Sequence, residues 1–320
     1  MKEQLIAIVG PTTSGKSAVA LELAAKLHTE IISADSAQVY RGMDIGTAKL
    51  LPAEQRSSGG SYIPHHLIDV VTPEHAYSIG HYQSAARACI SALHAAGKCP
   101  ILCGGSGLYV HAVVNSSYRL ESQGADEELR RRLMAEEEAR GAGYLHARLT
   151  DKYPRRAARI HPHDYQRILR AFERAGDLEN EEGTDWQSPY DLHIFGLTLP
   201  REQLYRRIEQ RVDQMFAAGL VDEVRGLLAQ GYCEDSNALS ALGYKEVLPL
   251  LRGECSEEEA KDLLKRNTRR FAKRQLTWFR RDPRIVWRDV SAFADSRALA
   301  ANIYESLPFA AGKSSAIPNS

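Results

Sequence analysis

An α/β fold is what the hydrophobic pattern of this chain predicts: a P-loop-type parallel sheet flanked by helices, with a small all-α domain inserted in it. Three observations carry that prediction. The apolar run Leu5-Ile6-Ala7-Ile8-Val9 enters Gly10-Pro11-Thr12-Thr13-Ser14-Gly15-Lys16-Ser17, which spells G-x-x-x-x-G-K-[ST], and residues 18–24 have helical composition. Strand, glycine-bounded loop and helix form the context in which that pattern binds phosphate. A second apolar run, Glu30-Ile31-Ile32-Ser33-Ala34-Asp35, follows the helix, and two strands joined by one helix imply a parallel sheet. Strand signals then vanish between residues 121 and 189 and return at Leu192-His193-Ile194-Phe195-Gly196-Leu197-Thr198-Leu199, as an insertion into a sheet requires.

Between these landmarks the elements follow in order. Residues 36–51 lose periodicity and are polar with glycines, the character of a functional loop. His65-His66-Leu67-Ile68-Asp69-Val70-Val71 reads as a further strand. Residues 78–96, with Tyr82, Ala85, Ala86, Cys89, Ile90 and Leu93, read as an amphipathic helix stopped at Gly97. Pro100-Ile101-Leu102-Cys103 is a third buried strand, entering a second glycine-rich turn, Gly104-Gly105-Ser106-Gly107-Leu108-Tyr109. Short charged helices are predicted over 126–140, 144–149 and 162–175, before an acidic loop at 176–188. Beyond the returning strand, helices are predicted over 201–218, 221–230, roughly 237–251 and 257–279, with a late strand at 284–287. This divides the chain into an α/β core (1–120 and 190–310), a helical insertion (121–189) and a flexible tail (310–320).

The chemistry-bearing residues converge on one sheet edge. The loop glycines let backbone N–H groups curl around phosphate oxygens, and the helix N-terminus adds partial positive charge. Lys16 would reach the terminal phosphates, and the Ser17 hydroxyl would ligate magnesium. Asp35 ends the second strand, where open α/β sheets bind ligands; it can assist a magnesium site, act as a base or serve as a turn residue. Ser106 arrives at the same edge, able to bond a phosphate or an acceptor group, or simply to cap a helix. Arg207 and Arg211 share a helix face with Glu209 and Asp213 nearby, which by spacing alone describes a solvated surface. In the helix at 257–279, Ala260, Leu264, Phe271, Gln275, Trp278 and Phe279 fall near one face, with Thr268 beside them. Lys265, Arg266, Arg269, Arg270, Lys273 and Arg274 spread over the rest, and an apolar seam with a basic rim suits an RNA backbone.

Composition narrows the function classes. An apolar fraction of 43% and a charged fraction of 26% are those of an ordinary globular protein. No apolar run is long enough to span a membrane, and the N-terminus enters a strand directly, leaving no room for a signal peptide. The five cysteines form no C-x-x-C pair and no even framework, which suits a reducing cytoplasm. With 41 basic and 41 acidic residues the net charge is zero, so bulk charge predicts no polyanion partner. The distribution does: from Lys261 to Arg281 nine basic residues accompany one acid, Asp262.

Several blocks together resemble the tRNA dimethylallyltransferases, also called tRNA isopentenyltransferases. The loop at 10–17 matches that family's pattern, with Thr13 in place of the usual Ala. The most distinctive block is Ser33-Ala34-Asp35-Ser36-Ala37-Gln38-Val39-Tyr40-Arg41-Gly42-Met43-Asp44-Ile45-Gly46-Thr47-Ala48-Lys49. His65-His66-Leu67-Ile68-Asp69 and the turn at 104–109 follow, with Ser106 where Thr is usual. His161-Pro162-His163-Asp164-Tyr165-Gln166-Arg167-Ile168-Leu169-Arg170-Ala171 resembles the family's RNA-contact segment, with His163 where Asn is commoner. Leu242-Gly243-Tyr244-Lys245-Glu246 and Ala272-Lys273-Arg274-Gln275-Leu276-Thr277-Trp278-Phe279 complete the set. The C-terminal zinc finger of the eukaryotic type is absent, so the resemblance is to the bacterial form.

That resemblance implies transfer of a dimethylallyl group from dimethylallyl diphosphate to N6 of adenosine 37, in tRNAs reading codons that begin with U. Gly10, Pro11, Thr12, Thr13, Ser14, Gly15, Lys16 and Ser17 would then hold a diphosphate leaving group, with Mg2+ on Ser17. Asp35, Ser106, Arg211 and Lys16 form the implied catalytic set, Asp35 as base and Arg211 raised from surface residue to diphosphate ligand. The anticodon stem-loop would meet Asp35, Ser36, Ala37, Gln38, Ser106, Arg130, Gln166, Arg167, Ile168, Leu169, Arg170, Lys273 and Arg274. A cytoplasmic monomer with no membrane association is expected. A P-loop small-molecule kinase, a prenyltransferase acting on free adenylates and a non-enzymatic RNA-binding switch are the competing readings.

Overall fold

The computed structural model describes residues 2–116, 126–173 and 186–309. The chain divides into two compact units, Met1–Tyr118 with Trp186–Ser320, and Arg119–Asp185. In the first unit β1 (Gln4–Val9) leads through the loop into α1 (Lys16–Leu27), β2 (Ile31–Ser33) and β3 (His65–His66). α2 (Ile79–Ala95), β4 (Ile101–Gly104) and α3 (Gly107–Val114) follow. The second unit holds α4 (Glu127–Arg140), α5 (Tyr144–Lys152), α6 (Pro154–Ala157) and α7 (Tyr165–Glu173). The first unit resumes with β5 (Asp191–Thr198), α8 (Arg201–Ala217), α9 (Leu220–Ala229), α10 (Leu248–Leu251) and α11 (Glu257–Phe279). β6 (Ile285–Asp289) and α12 (Ser296–Glu305) end the described chain.

The six strands form one sheet in the order β3-β2-β4-β1-β5-β6, and every pairing is parallel. β1 lies inside it, with Val9 in register with Gly104 on one side and Gly196 on the other. A strand buried on both faces reads as a continuous apolar run, and residues 5–9 are all fully buried. Alternation divides them: Leu5, Ala7 and Val9 pack with the helices α2, α3, α8, α9 and α11, while Ile6 and Ile8 pack with α1 and α12. Each fully buried Leu or Ile contributes about 1.5–3 kcal/mol, so this strand anchors both layers. No described helix is long and apolar enough to cross a membrane.

Three expectations need correction, and one element is unexpected. The strand expected over 65–71 stops after His66, because Leu67 (φ 62°) and Asp69 (φ 56°) are left-handed. The helix expected over 237–251 is a run of turns ending in the single-turn α10. Gly243 sits at φ 105°, outside helical space, and the turns carry the fully buried Tyr244 ring against Gly46. The helix expected over 162–175 begins only at Tyr165, and the short α6 precedes it without a sequence signal of its own. α12 is a further element that the sequence reading omits, although the Asp295 carboxylate caps it and Leu299, Ala300 and Ile303 form its buried side. The tail expected at 310–320 lies outside the described residues.

The helical unit has a core of its own, built from Leu133, Leu145, Leu149, Ala157, Ile168, Leu169, Ala171 and Phe172. The Asp126 side chain caps α4 at Leu129 N–H, and the buried Glu137 carboxylate accepts from Gly143 and Leu145 N–H to tie α4 to the start of α5.

Candidate active site

The phosphate loop leaves β1 at Gly10, where φ is 143° and a Cβ would stand 2.5 Å from the Leu197 carbonyl oxygen of β5. Only glycine fits there. Thr13 takes a left-handed φ of 62°, a strained conformation for a β-branched residue. α1 starts at Lys16 with no side-chain cap and no acidic residue in its first turn, so its positive end is uncompensated. The Thr13 and Ser14 hydroxyls are buried without a hydrogen-bond partner. Buried polar groups left unpaired are costly, and an uncapped helix end beside two such hydroxyls is suited to anion oxygens.

Two cations address this loop. Lys16 Nζ donates to Pro11 O at 2.7 Å, and burial pulls its pKa down from 10.5 to about 8. Arg211, reaching from α8, donates to Thr12 Oγ1 at 3.4 Å and to Thr47 O at 3.3 Å. It has no carboxylate partner among the described residues, and burial lowers its pKa while the charge of Asp35 opposes that shift. A half-hidden guanidinium without an anion is costly; a bound diphosphate would supply one. Arg207, one turn earlier, is exposed, so the pair with one spacing splits into a residue turned onto the loop and a residue on the surface.

Asp35 and Ser106 follow the ends of the paired strands β2 and β4, where Ser106 N–H donates to Ala34 O at 3.1 Å. Asp35 Oδ1 accepts from Ala37 N–H at 2.9 Å, the turn-forming bond that Asp commonly makes. Ser106 stands at the N-cap position of α3 but makes no capping bond. Its Oγ instead accepts from Ser36 N–H at 2.9 Å and donates to Ser36 Oγ at 3.2 Å. The alternative of a plain helix cap is therefore excluded for Ser106. Gln38 donates to the same Thr47 carbonyl as Arg211, at 3.3 Å.

The loop at 36–51 is held by groups that spacing does not reveal. Glu223 accepts from the N–H groups of Asp44 (3.0 Å), Ile45 (2.8 Å) and Gly46 (3.1 Å), and from Tyr244 Oη at 2.7 Å. Buried Lys49 donates to Tyr40 O and bridges Asp44 (2.7 Å) and Asp69 (2.6 Å). Gln275 of α11 accepts from Thr12 N–H at 2.8 Å and donates to Gly105 O at 3.0 Å, spanning the two glycine-rich turns. A buried glutamine bonded at both ends inside an apolar seam is the signal that marks it. Among the described residues no cluster of three or more His, Cys, Asp or Glu could hold a metal.

The residues expected to meet RNA separate into two kinds. In the helical unit Gln166 and Arg167 are exposed, but Ile168 (0%) and Leu169 (8%) are buried in its core. Their side chains offer no surface, a correction that follows from their place on the apolar side of α7. Arg130 and Arg170 share the Glu173 carboxylate, at 2.5 and 3.0 Å. On α11, Lys265 pairs with Asp213 (2.6 Å) and Arg269 with Glu209 (2.9 Å) of α8. Arg266, Arg270, Lys273 and Arg274 are exposed without an ion pair among the described residues, and their spacing places them on one stripe.

A family model described as IPP transferase matches residues 38–282. The chain belongs to the IPP transferase family. It is 52% identical to the tRNA dimethylallyltransferase of Moorella thermoacetica over 90% of each chain, and 50% identical to that of Symbiobacterium thermophilum over 91% of each. Family members of known structure share its fold. The full-length tRNA isopentenylpyrophosphate transferase of Bacillus halodurans superposes with a TM-score of 0.70 at 44% identity, covering 97% of this chain and 96% of that one. A eukaryotic dimethylallyltransferase acting on tRNA gives 0.80 at 27% identity, covering 97% and 80%.

Proposed function

We propose that this enzyme transfers a dimethylallyl group from dimethylallyl diphosphate to N6 of adenosine 37 in tRNAs that read codons beginning with U. The observation that supports it most directly is the arrangement at one sheet edge: a phosphate loop flanked by Lys16 and by Arg211, which has no carboxylate partner among the described residues, with Asp35 bonded to Ala37 N–H and Ser106 bonded to Ser36 at the ends of the adjacent strands. A kinase needs the phosphate cradle; the carboxylate and hydroxyl beside it suit an acceptor amine.

In the reaction the N6 lone pair forms a bond to the allylic carbon as the carbon–oxygen bond to diphosphate breaks. Diphosphate leaves with that electron pair, and Lys16 and Arg211 neutralise the charge it gains. Adenine N6 is a weak nucleophile because its lone pair is delocalised into the ring, so Asp35 accepts its proton during attack. Ser106 orients the amine. Magnesium fits the donor set, since Ser17 offers an exposed hydroxyl on the first turn of α1 and this ion is held largely by substrate phosphates and water. When bound it would supply further neutralisation of the leaving group.

Adenosine in an anticodon loop is stacked and must be extruded to reach the site. The cationic stripe of α11 and the exposed Gln166 and Arg167 supply backbone contacts to the stem-loop. A monomer acting on tRNA in the cytoplasm is sufficient for this chemistry. The test is incubation with unmodified tRNA, dimethylallyl diphosphate and magnesium, followed by digestion and nucleoside mass spectrometry. A dimethylallyl mass gain on adenosine is expected; no gain, with ATP consumed in its place, would sink the reading.

A further inference from the structure

The Pro11–Thr12 peptide unit of the phosphate loop is gripped at both ends. Its carbonyl oxygen accepts from Lys16 Nζ at 2.7 Å, and its N–H donates to Gln275 Oε1 at 2.8 Å. The Thr12 side chain is held as well, by Arg211 at 3.4 Å. One of the loop's donors therefore points at a glutamine of the basic helix instead of at a ligand. The other end of that glutamine is equally committed, because Nε2 donates to Gly105 O at 3.0 Å and a Cβ on Gly105 would stand 2.3 Å from it. Gln275 is 7% exposed, so it reaches no ligand itself.

We propose that Gln275 is a positioning residue for the diphosphate: by fixing the Pro11–Thr12 peptide plane and the turn at Gly105, it sets the loop shape that Lys16 and Arg211 complete. This rests on the reading of the loop as a diphosphate site. An amide suits the position better than any other side chain, since one end must accept and the other donate. A peptide plane free to rotate would turn the Pro11 carbonyl or the Thr12 N–H through the space that phosphate oxygens need. The consequence is confined to the donor. RNA contacts on α11 lie on its exposed stripe at Arg266, Arg270, Lys273 and Arg274, away from the buried side that carries Gln275.

The test uses the full-length enzyme with magnesium, inorganic pyrophosphate as the donor-site probe and an unmodified anticodon stem-loop as the acceptor probe. Gln275→Met keeps volume and removes both hydrogen bonds. It is expected to weaken pyrophosphate binding by about tenfold or more, the worth of a lost buried hydrogen bond, with stem-loop affinity unchanged. In turnover the KM for dimethylallyl diphosphate should rise while the KM for tRNA does not. Gly105→Ala, which pushes Nε2 from the opposite side, should reproduce that pattern. Unchanged pyrophosphate affinity in a folded Gln275→Met enzyme, or parallel loss of both affinities, would overturn the proposal. Should the variants fail to fold, nuclear magnetic resonance of the wild type decides it. The Gln275 side-chain amide and the Thr12 N–H should shift on pyrophosphate addition while the Gln230 side chain does not, and unmoved signals would overturn it. Absence of any pyrophosphate binding by the wild type would instead overturn the diphosphate reading of the loop, and this inference with it.

Discussion

Lys16 holds its proton less firmly in the folded protein than in the unfolded chain, because burial lowers its pKa from 10.5 to about 8. Between those values the unfolded state binds more protons, so the group's contribution to stability rises with pH, is complete above 10.5 and is lost as pH falls through about 8. Anion binding has the opposite sign, since a diphosphate favours the charged amine. Pyrophosphate affinity should therefore fall as pH rises through about 8, and calorimetry in buffers of different ionisation enthalpy should detect proton uptake there. Lys16→Arg, which stays charged across that range, should remove the proton uptake and shift the limb upward. Asp35 gives a second residue-scale test. Asp35→Ala should cut turnover by about 10²–10⁴-fold, the worth of a general base, and leave tRNA affinity nearly intact; loss of affinity with normal turnover would contradict the assignment. Both residues are legible in the sequence because a motif and a strand end name them. Gln275 and Glu223 are not, because their importance lies in partners distant in sequence, at Thr12, Gly105 and 44–46. Arg211 stands between these cases: its spacing describes a solvated helix face, and only the family resemblance raises it.

The strongly periodic elements are readable as a class, and the failures have local causes. β1, α1, α2, β5 and α11 all carry a period, a cap or a glycine stop within their own sequence, such as the Ser256–Glu259 capping box that starts α11. Residues 237–251 have helical composition, yet Tyr244 is required against Gly46 and Glu246 is bonded to Gly243 and to Asn267 of α11. Tertiary demands override propensity there. α11 itself illustrates why a basic helix cannot be read as uniformly available. Lys265 and Arg269 hold α8 through Asp213 and Glu209, leaving a narrower stripe for phosphates. Combined replacement of Arg270, Lys273 and Arg274 by Ala should weaken tRNA binding and reduce the slope of log affinity against log salt by about one per phosphate no longer neutralised. Lys265→Ala, removing a cation of equal charge, should leave that slope unchanged and lower thermal stability slightly, as loss of a mostly surface pair does. Filter binding across a salt series distinguishes the two; a slope change for Lys265→Ala one third as large as that of the triple variant would show that charge on α11 acts without regard to position.

At the scale of the whole chain, an insertion of helices into a parallel sheet is tolerable only where the chain leaves and re-enters at one place. It does so here. Ser116 N–H donates to Gln187 O at 2.9 Å, and Arg284 donates to Asn115 Oδ1 and to Trp186 O, each at 2.7 Å. Asp282 pairs with that guanidinium in turn, at 2.7 and 2.9 Å, and orients it. The entropy cost of holding those ends together grows only slowly with the length between them, and the helical unit brings a core of its own. The division is visible in sequence as a loss of strand signal, whereas the Arg284 staple is not, since its partners lie up to 169 residues away. Replacing Arg119–Asp185 with a short glycine-serine linker should thus leave an α/β unit that melts cooperatively and binds pyrophosphate as the full chain does. Transfer to tRNA should collapse, because Gln166 and Arg167 are gone. Adding Arg284→Ala to the shortened chain should lower its melting temperature, as the Asn115 and Trp186 ends lose their tie and Asp282 its partner. If the shortened chain instead lost pyrophosphate binding while still melting cooperatively, the diphosphate site would need the helical unit, and its assignment to the α/β unit alone would be wrong.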